Sequence, residues 1–156
     1  MTAPLLSIYR RLTRWPGGHW LFARAVCLKA PYFASISPRI TRLEPGRCDA
    51  RLADRRKVRN HLGTVHAIAL CNIAELSAGL MVDASLPADM RWIPKGMQVR
   101  YLAKARGTLQ AVAMPEQPIV GASTGYELPV NVRVTDTART EVFTARIDIW
   151  VSPRRR

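Results

Sequence analysis

The pattern of apolar and polar positions changes character twice along the chain. Leu5 to Trp15 is apolar and basic by turns and is broken by Pro16-Gly17-Gly18. His19 to Lys29 resumes at helical spacing, with Trp20, Ala23, Val26 and Cys27 toward one side, and Pro31 closes it. From Ser35 the period shortens. Ile36, Ile40 and Leu43 lead into Glu44-Pro45-Gly46-Arg47, a strand and a turn, and Cys48 to Leu52 reads as the partner strand. Val65 to Val82 is apolar all round, as expected of a helix enclosed by other structure. After Pro87 the chain is strand-like to its end. Trp92-Ile93, Val99–Ala103, Thr108–Ala113, Tyr126–Val134 and Val142–Val151 are separated by Pro- or Gly-bearing breaks and by 135–140. In the last of them Phe143, Ala145, Ile147, Ile149 and Val151 alternate with Thr144, Arg146, Asp148 and Trp150, the period of a half-buried strand.

Helices, a hairpin, one long buried helix and then a meander of about four strands predict an α+β fold. Its antiparallel sheet of five or six strands would curl around the central helix. Residues 1–35 form a helical extension and 36–156 the main domain, one domain in 156 residues. The extension reads as a pair of packing helices. Capping a substrate tunnel, closing an oligomer interface and touching an anionic membrane surface all remain open roles for it. The apolar run Val65–Val82 reaches spanning length but carries His66, Asn72, Glu75 and Ser77. A carboxylate at mid-bilayer costs roughly 2–3 kcal/mol, so a helix inside a protein core is the reading adopted.

Charge narrows the partners. The chain has 24 Lys+Arg against 11 Asp+Glu, a net +13. Residues 1–60 hold 13 basic and 3 acidic side chains, while 61–156 hold 11 and 8. Such an excess favours nucleic acid, an acidic membrane or a phosphate-bearing small molecule. No zinc-finger spacing, RNA-binding aromatic signature or helix-turn-helix accompanies it, so no specific nucleic acid is expected. Three cysteines without a C-x-x-C pair, and no signal-like N-terminus, predict a reduced, cytoplasmic protein without a metal or other cofactor.

The candidate chemistry lies in 60–75. Glu75 is the one carboxylate of an apolar helix, where desolvation would raise its pKa toward that of a general base or nucleophile. The helix start at Val65–Ala67 offers unpaired N–H groups that can hold an oxyanion. Asn60, Gly63, His66 and, nine positions later, Glu75 resemble the hotdog-fold acyl-CoA thioesterases, which read Asn-x-x-Gly-x-x-His-Gly-Gly before an acidic residue. Val99–Gly107 also looks like that family's strand with a basic-Gly turn. Within the group, residues 36–151 look most like the domain-of-unknown-function 4442 branch.

The resemblance implies a hotdog fold and a homodimer, with dimers able to pair further. It also implies a thioester hydrolase whose site is shared between subunits. Glu75, Asn60 and the Ala67 N–H would be catalytic; Gly63, His66, Ile68, Lys104 and Arg106 would bind substrate. Nine residues of helix turn through about half a revolution out of phase, so Glu75 cannot serve its own helix start. A two-fold partner removes that difficulty. Ala67-Ile68 departs from Gly-Gly and narrows the approach of an acyl chain.

Plainer readings stand beside these. Glu75 could be a buried carboxylate paired with an arginine, Asn60 a turn former, His66 structural, Gly63 backbone geometry and Cys71 an inert core thiol. Arg55, Arg56, Lys57 and Arg59 are a second basic patch beside Lys104 and Arg106. At the level of function, the alternatives are a non-catalytic acyl-CoA or lipid-binding protein and a basic surface-association protein. A hotdog dehydratase is disfavoured, since its His-Phe-Pro-Gly stretch is missing.

Overall fold

Two helices, α1 (Pro4–Leu12) and α2 (Gly18–Lys29), begin the computed structural model, which describes residues 4–154. Met1–Ala3 of the extension and Arg155-Arg156 of the basic tail lie outside the described residues. The break between the helices depends on glycine. Gly17 has φ +80°, and a Cβ on Gly18 would lie 1.9 Å from the Leu12 carbonyl oxygen. Tyr9 of α1 packs edge-on against Phe22 of α2, their rings 5.0 Å apart. The His19 Nδ1–H donates to the Ile40 carbonyl at 2.8 Å. Leu6, Tyr9 and Phe22 are buried in the same apolar cluster as the sheet, so the extension shares the core of the main domain.

Pro31–Ile36 is a 3-10 turn that ends at Ile36. The first strand, β1 (Arg39–Glu44), therefore starts three residues later than the apolar pattern predicts. It forms a hairpin with β2 (Arg47–Leu52). A strap then leads to α3 (Ala67–Ser85), and β3 (Met90–Tyr101), β4 (Leu109–Pro115), β5 (Tyr126–Thr135) and β6 (Glu141–Pro153) complete the chain. The six strands form one antiparallel sheet in the order β1-β2-β4-β5-β6-β3.

Two differences from the sequence pattern have clear causes. Trp92-Ile93 and Val99–Ala103 are one strand, not two, because a register shift between Pro94 and Gly96 absorbs the proline that cannot donate to a ladder. The meander also holds only for β4-β5-β6. The chain crosses the sheet after α3, so β3 pairs with β6 and becomes an edge. Apart from Met90, Trp92 and Val99, every residue of β3 is exposed, a long unpaired edge of a kind that proteins usually protect.

The sheet curls around α3. Leu109, Ala111, Leu128, Val130, Val132, Phe143, Ile147 and Ile149 form its buried face, and Ile73, Ala74, Met81 and Val82 are the helix side chains sealed against it. Each buried Leu, Ile, Val, Met or Phe among them contributes about 1.5–3 kcal/mol. The helix is long and apolar enough to cross a bilayer, but here it is the core of a domain. Cys48 lies wholly buried in β2, and burial pushes its thiol pKa up; all three cysteines are free.

The strap between β2 and α3 is fastened by Asp54. One carboxylate oxygen accepts from Arg59 Nε at 2.7 Å and the other from the Gly107 N–H at 2.9 Å. These bonds, the Arg59 one first, hold the Asp54 carboxyl below its ordinary pKa. Its stabilising charge is therefore complete above the unfolded carboxylate pKa of about 4 and is lost as pH falls through the lower folded value.

Ile73→Ala should destabilise the protein by about 2–5 kcal/mol in urea unfolding. A loss below about 1 kcal/mol would contradict the tight seal between helix and sheet. Asp54→Asn should lower the melting temperature at neutral pH, with the gap from wild type closing as pH drops below about 4. A gap independent of pH would show that the carboxylate charge does not hold the strap.

Candidate active site

The start of α3 is built by a side chain seven residues before it opens. Asn60 Oδ1 accepts from the N–H groups of Leu62 and Thr64 at 3.0 and 3.1 Å, and its Nδ2 donates to Thr64 Oγ1 at 2.9 Å. The backbone N–H of Asn60 reaches the Thr64 carbonyl at 2.9 Å, and Gly63 N–H returns to the Asn60 carbonyl. Gly63 sits at φ +70°, where a side chain would be strained. Asn60 and Gly63 thus act as a turn, with one Asn60 amide hydrogen left uncommitted among the described residues. Thr64, buried at the centre of this turn, escaped the sequence reading because nothing in its type or spacing marks it.

Neighbouring backbone fixes the next two residues. Val65 N–H donates to the Ala105 carbonyl at 2.9 Å and His66 N–H to the Val58 carbonyl at 2.8 Å. The helix start is therefore held between the strap and the loop that follows β3. Lys104 and Arg106 flank Ala105 in that loop, and both are exposed. Arg55, just before the short 3-10 turn at Arg56–Val58, and Arg56 and Lys57 on it are exposed, whereas Arg59 is committed to Asp54.

His66 is the N-cap. Its Nδ1 accepts from the Ile68 N–H at 3.0 Å, which places the ring proton on Nε2. The N–H groups of Ala69 and Leu70 go to the His66 carbonyl. Ala67 N–H, the first of the helix, has no acceptor among the described residues. One donor at a positive helix end is thus left open, and Ile68, 54% exposed, stands beside it.

Glu75 departs from the sequence expectation. It is exposed, not desolvated within an all-round buried helix, and it forms no ion pair among the described residues. The sheet covers most of α3 but leaves one stripe of Ile68, Cys71, Glu75, Gly79 and Asp83, recurring every three to four residues. Eight residues of helix put Glu75 about 12 Å along the axis from Ala67. Within one chain the carboxylate and the open N–H share a stripe, not the opposite faces expected from the spacing, and it is the distance along the axis that keeps them apart.

The inner face of β3 borders that stripe. Tyr101 Oη lies 3.4 Å from Cys71 Sγ, and this hydrogen bond, with some burial, pushes the phenol pKa up to about 12. Trp92 Nε1 donates to Asp83 Oδ1 at 2.6 Å, and its ring lies 3.0 Å from where a Gly79 Cβ would be. Gly79 therefore lets the indole lie on the helix. Neither pair is visible in the sequence, since 30 and 9 residues separate the partners. Among the described residues, no three His, Cys, Asp or Glu side chains converge as a metal would require.

The comparisons with known proteins agree with this architecture. The family model described as a domain of unknown function, DUF4442, matches residues 18–151. A solved structure from a genomics programme is 42% identical, with TM-score 0.82 over 96% of this chain and 99% of that one. A Pseudomonas aeruginosa protein of unknown function, called a probable thioesterase, is 22% identical, with TM-score 0.75 over 86% of this chain and 95% of its own. A Haemophilus influenzae thioesterase is 13% identical, with TM-score 0.69 over 78% and 82%. At such identities the last two likenesses speak for the fold alone. No curated protein matches. With a long helix wrapped by a six-stranded antiparallel sheet and a family match that spans most of its length, the chain belongs to the DUF4442 family of hotdog-fold proteins.

Proposed function

We propose that the protein hydrolyses an acyl-CoA thioester in a site shared between two subunits. The observation that carries this reading is the open Ala67 N–H at the start of α3, with the His66 cap having already taken its neighbour's N–H. A preorganised donor at a positive helix end suits the oxyanion of a thioester's tetrahedral intermediate. The required base is Glu75 of a second subunit, because within one chain the two groups are about 12 Å apart.

The exposed edge supports the dimer. Pairing of β3 with its two-fold copy would extend the sheet across both subunits and cover the stripe of α3. Ile93, Met97 and Tyr101, between 37% and 57% exposed, would be withdrawn from water there. Further pairing of dimers remains compatible with this arrangement, and a reducing cytoplasm suits the three free thiols.

In the proposed reaction, the Glu75 carboxylate takes a proton from water as its oxygen attacks the thioester carbonyl. Ala67 N–H holds the resulting oxyanion. Collapse breaks the carbon–sulfur bond, and the CoA thiolate recovers the proton from Glu75, leaving a free acid and CoA. Asn60 and Gly63 act by holding the turn that aims Ala67. Ile68 borders the acyl path, and His66 Nε2–H faces the substrate side. Lys104 and Arg106 are the cations for the CoA phosphates.

Replacing Glu75 by Gln should lower thiol release from acyl-CoAs of graded length by about 10²–10⁴-fold, with melting unchanged because the side chain is exposed. Equal turnover would remove Glu75 from the mechanism. If wild type releases no thiol while CoA esters raise its melting temperature, the Ala67-Ile68 replacement has left a binding protein. The double change Lys104→Ala and Arg106→Ala should raise KM for acyl-CoA about tenfold or more. It should spare a short thioester without phosphates; an equal effect on both substrates would deny these cations a phosphate role.

A further inference from the structure

A second region of the molecule combines charge and exposed apolar surface. Residues 1–43 contain seven Lys and Arg and no Asp or Glu. On α2, the outward positions Trp20, Leu21, Arg24, Ala25, Leu28 and Lys29 recur with helical spacing. Trp20 is 62% exposed, Leu28 81% and the adjoining Tyr32 69%, which is costly apolar surface to leave in water. Beside this face lies a cleft of about 560 Å³ lined by Trp20, Arg24, Cys27, Leu28, Arg39 and Arg55. Its three guanidinium groups come from α2, β1 and the strap, and none has a carboxylate partner among the described residues. Arg24 stacks over the Trp20 ring at 5.5 Å.

We propose that this face docks on an anionic phospholipid bilayer, with the cleft receiving a lipid phosphate and Trp20 and Leu28 entering the acyl boundary. Three unpaired guanidiniums complement a phosphate or an anionic headgroup, and Arg forms bidentate bonds to such oxygens. Trp and Tyr at the rim, leucines projecting outward and basic residues between them form the arrangement that suits a membrane interface. A second copy of the same face is disfavoured by like charge. A nucleic acid would answer the arginines but offers no hydrocarbon to Leu21 and Leu28. This docking is independent of the thioester reading and would stand if that reading failed.

Sedimentation of the full chain with vesicles tests it. Vesicles containing about one-third phosphatidylglycerol should bind the protein, and pure phosphatidylcholine should not. Arg24→Gln, Arg39→Gln and Arg55→Gln together should weaken binding about 100-fold. The same number of charges removed elsewhere, by Arg91→Gln, Arg133→Gln and Arg139→Gln, should matter less than about fivefold. Trp20→Ala with Leu28→Ala should abolish quenching of the tryptophan signal by brominated acyl chains. Circular dichroism melting confirms that each variant folds; these side chains are exposed. Three results would overturn the proposal: no vesicle binding, equal loss in the two arginine sets, or binding to RNA tighter than to anionic vesicles. Millimolar glycerol phosphate that raises the melting temperature while anionic vesicles do not bind would assign the cleft to a soluble phosphate instead and refute the membrane role.

Discussion

The structure depends on the burial of one helix. α3 is apolar on almost every side, and a sheet of six strands curls far enough to cover it except along one stripe. That stripe carries Ile68, Cys71, Glu75, Gly79 and Asp83, so both exposed carboxylates of α3 are confined to one line. The helix start must lie at the same open side, because the strap and the loop after β3 seize it from two directions through Val58 and Ala105. Backbone groups thereby fix the site's position, and side chains only refine it.

This arrangement separates two jobs that a hydrolase needs done together. The donor end of α3 is preorganised within one chain: Asn60 makes the turn, His66 caps, and Ala67 keeps its N–H open. The carboxylate of Glu75 is exposed and remote, about 12 Å along the helix. In the proposed dimer a two-fold partner would bring them together, since one symmetry operation supplies both missing halves. The proposed dimer would cover the long exposed edge of β3 and the bare stripe together.

The basic front of the chain belongs to a different surface. α1 and α2 bury Leu6, Tyr9 and Phe22 in the common core, which fixes them firmly while turning Trp20, Leu28 and their arginines outward. Charge and chemistry are thus distributed between two regions, one at the helix start with Lys104 and Arg106, the other on α2.

Local signals determined much of this protein. Period, turn residues and the apolar run placed the central helix, the hairpin and the last three strands. The Asn60–Glu75 spacing, read as a resemblance, pointed to the family, because a turn, a cap and a helix face are all set within a few residues. What depended on distant contacts was decided only by the tertiary structure. Periodicity could not say which edge β3 would join, because alternation is the same beside β4 or β6. It could not foresee that Glu75 is exposed, because an apolar sequence does not say which stripe the sheet will leave bare. It could not pair Tyr101 with Cys71, Asp54 with Gly107, or Arg24 with Arg39 and Arg55, since those meetings exist only once the chain has closed on its helix.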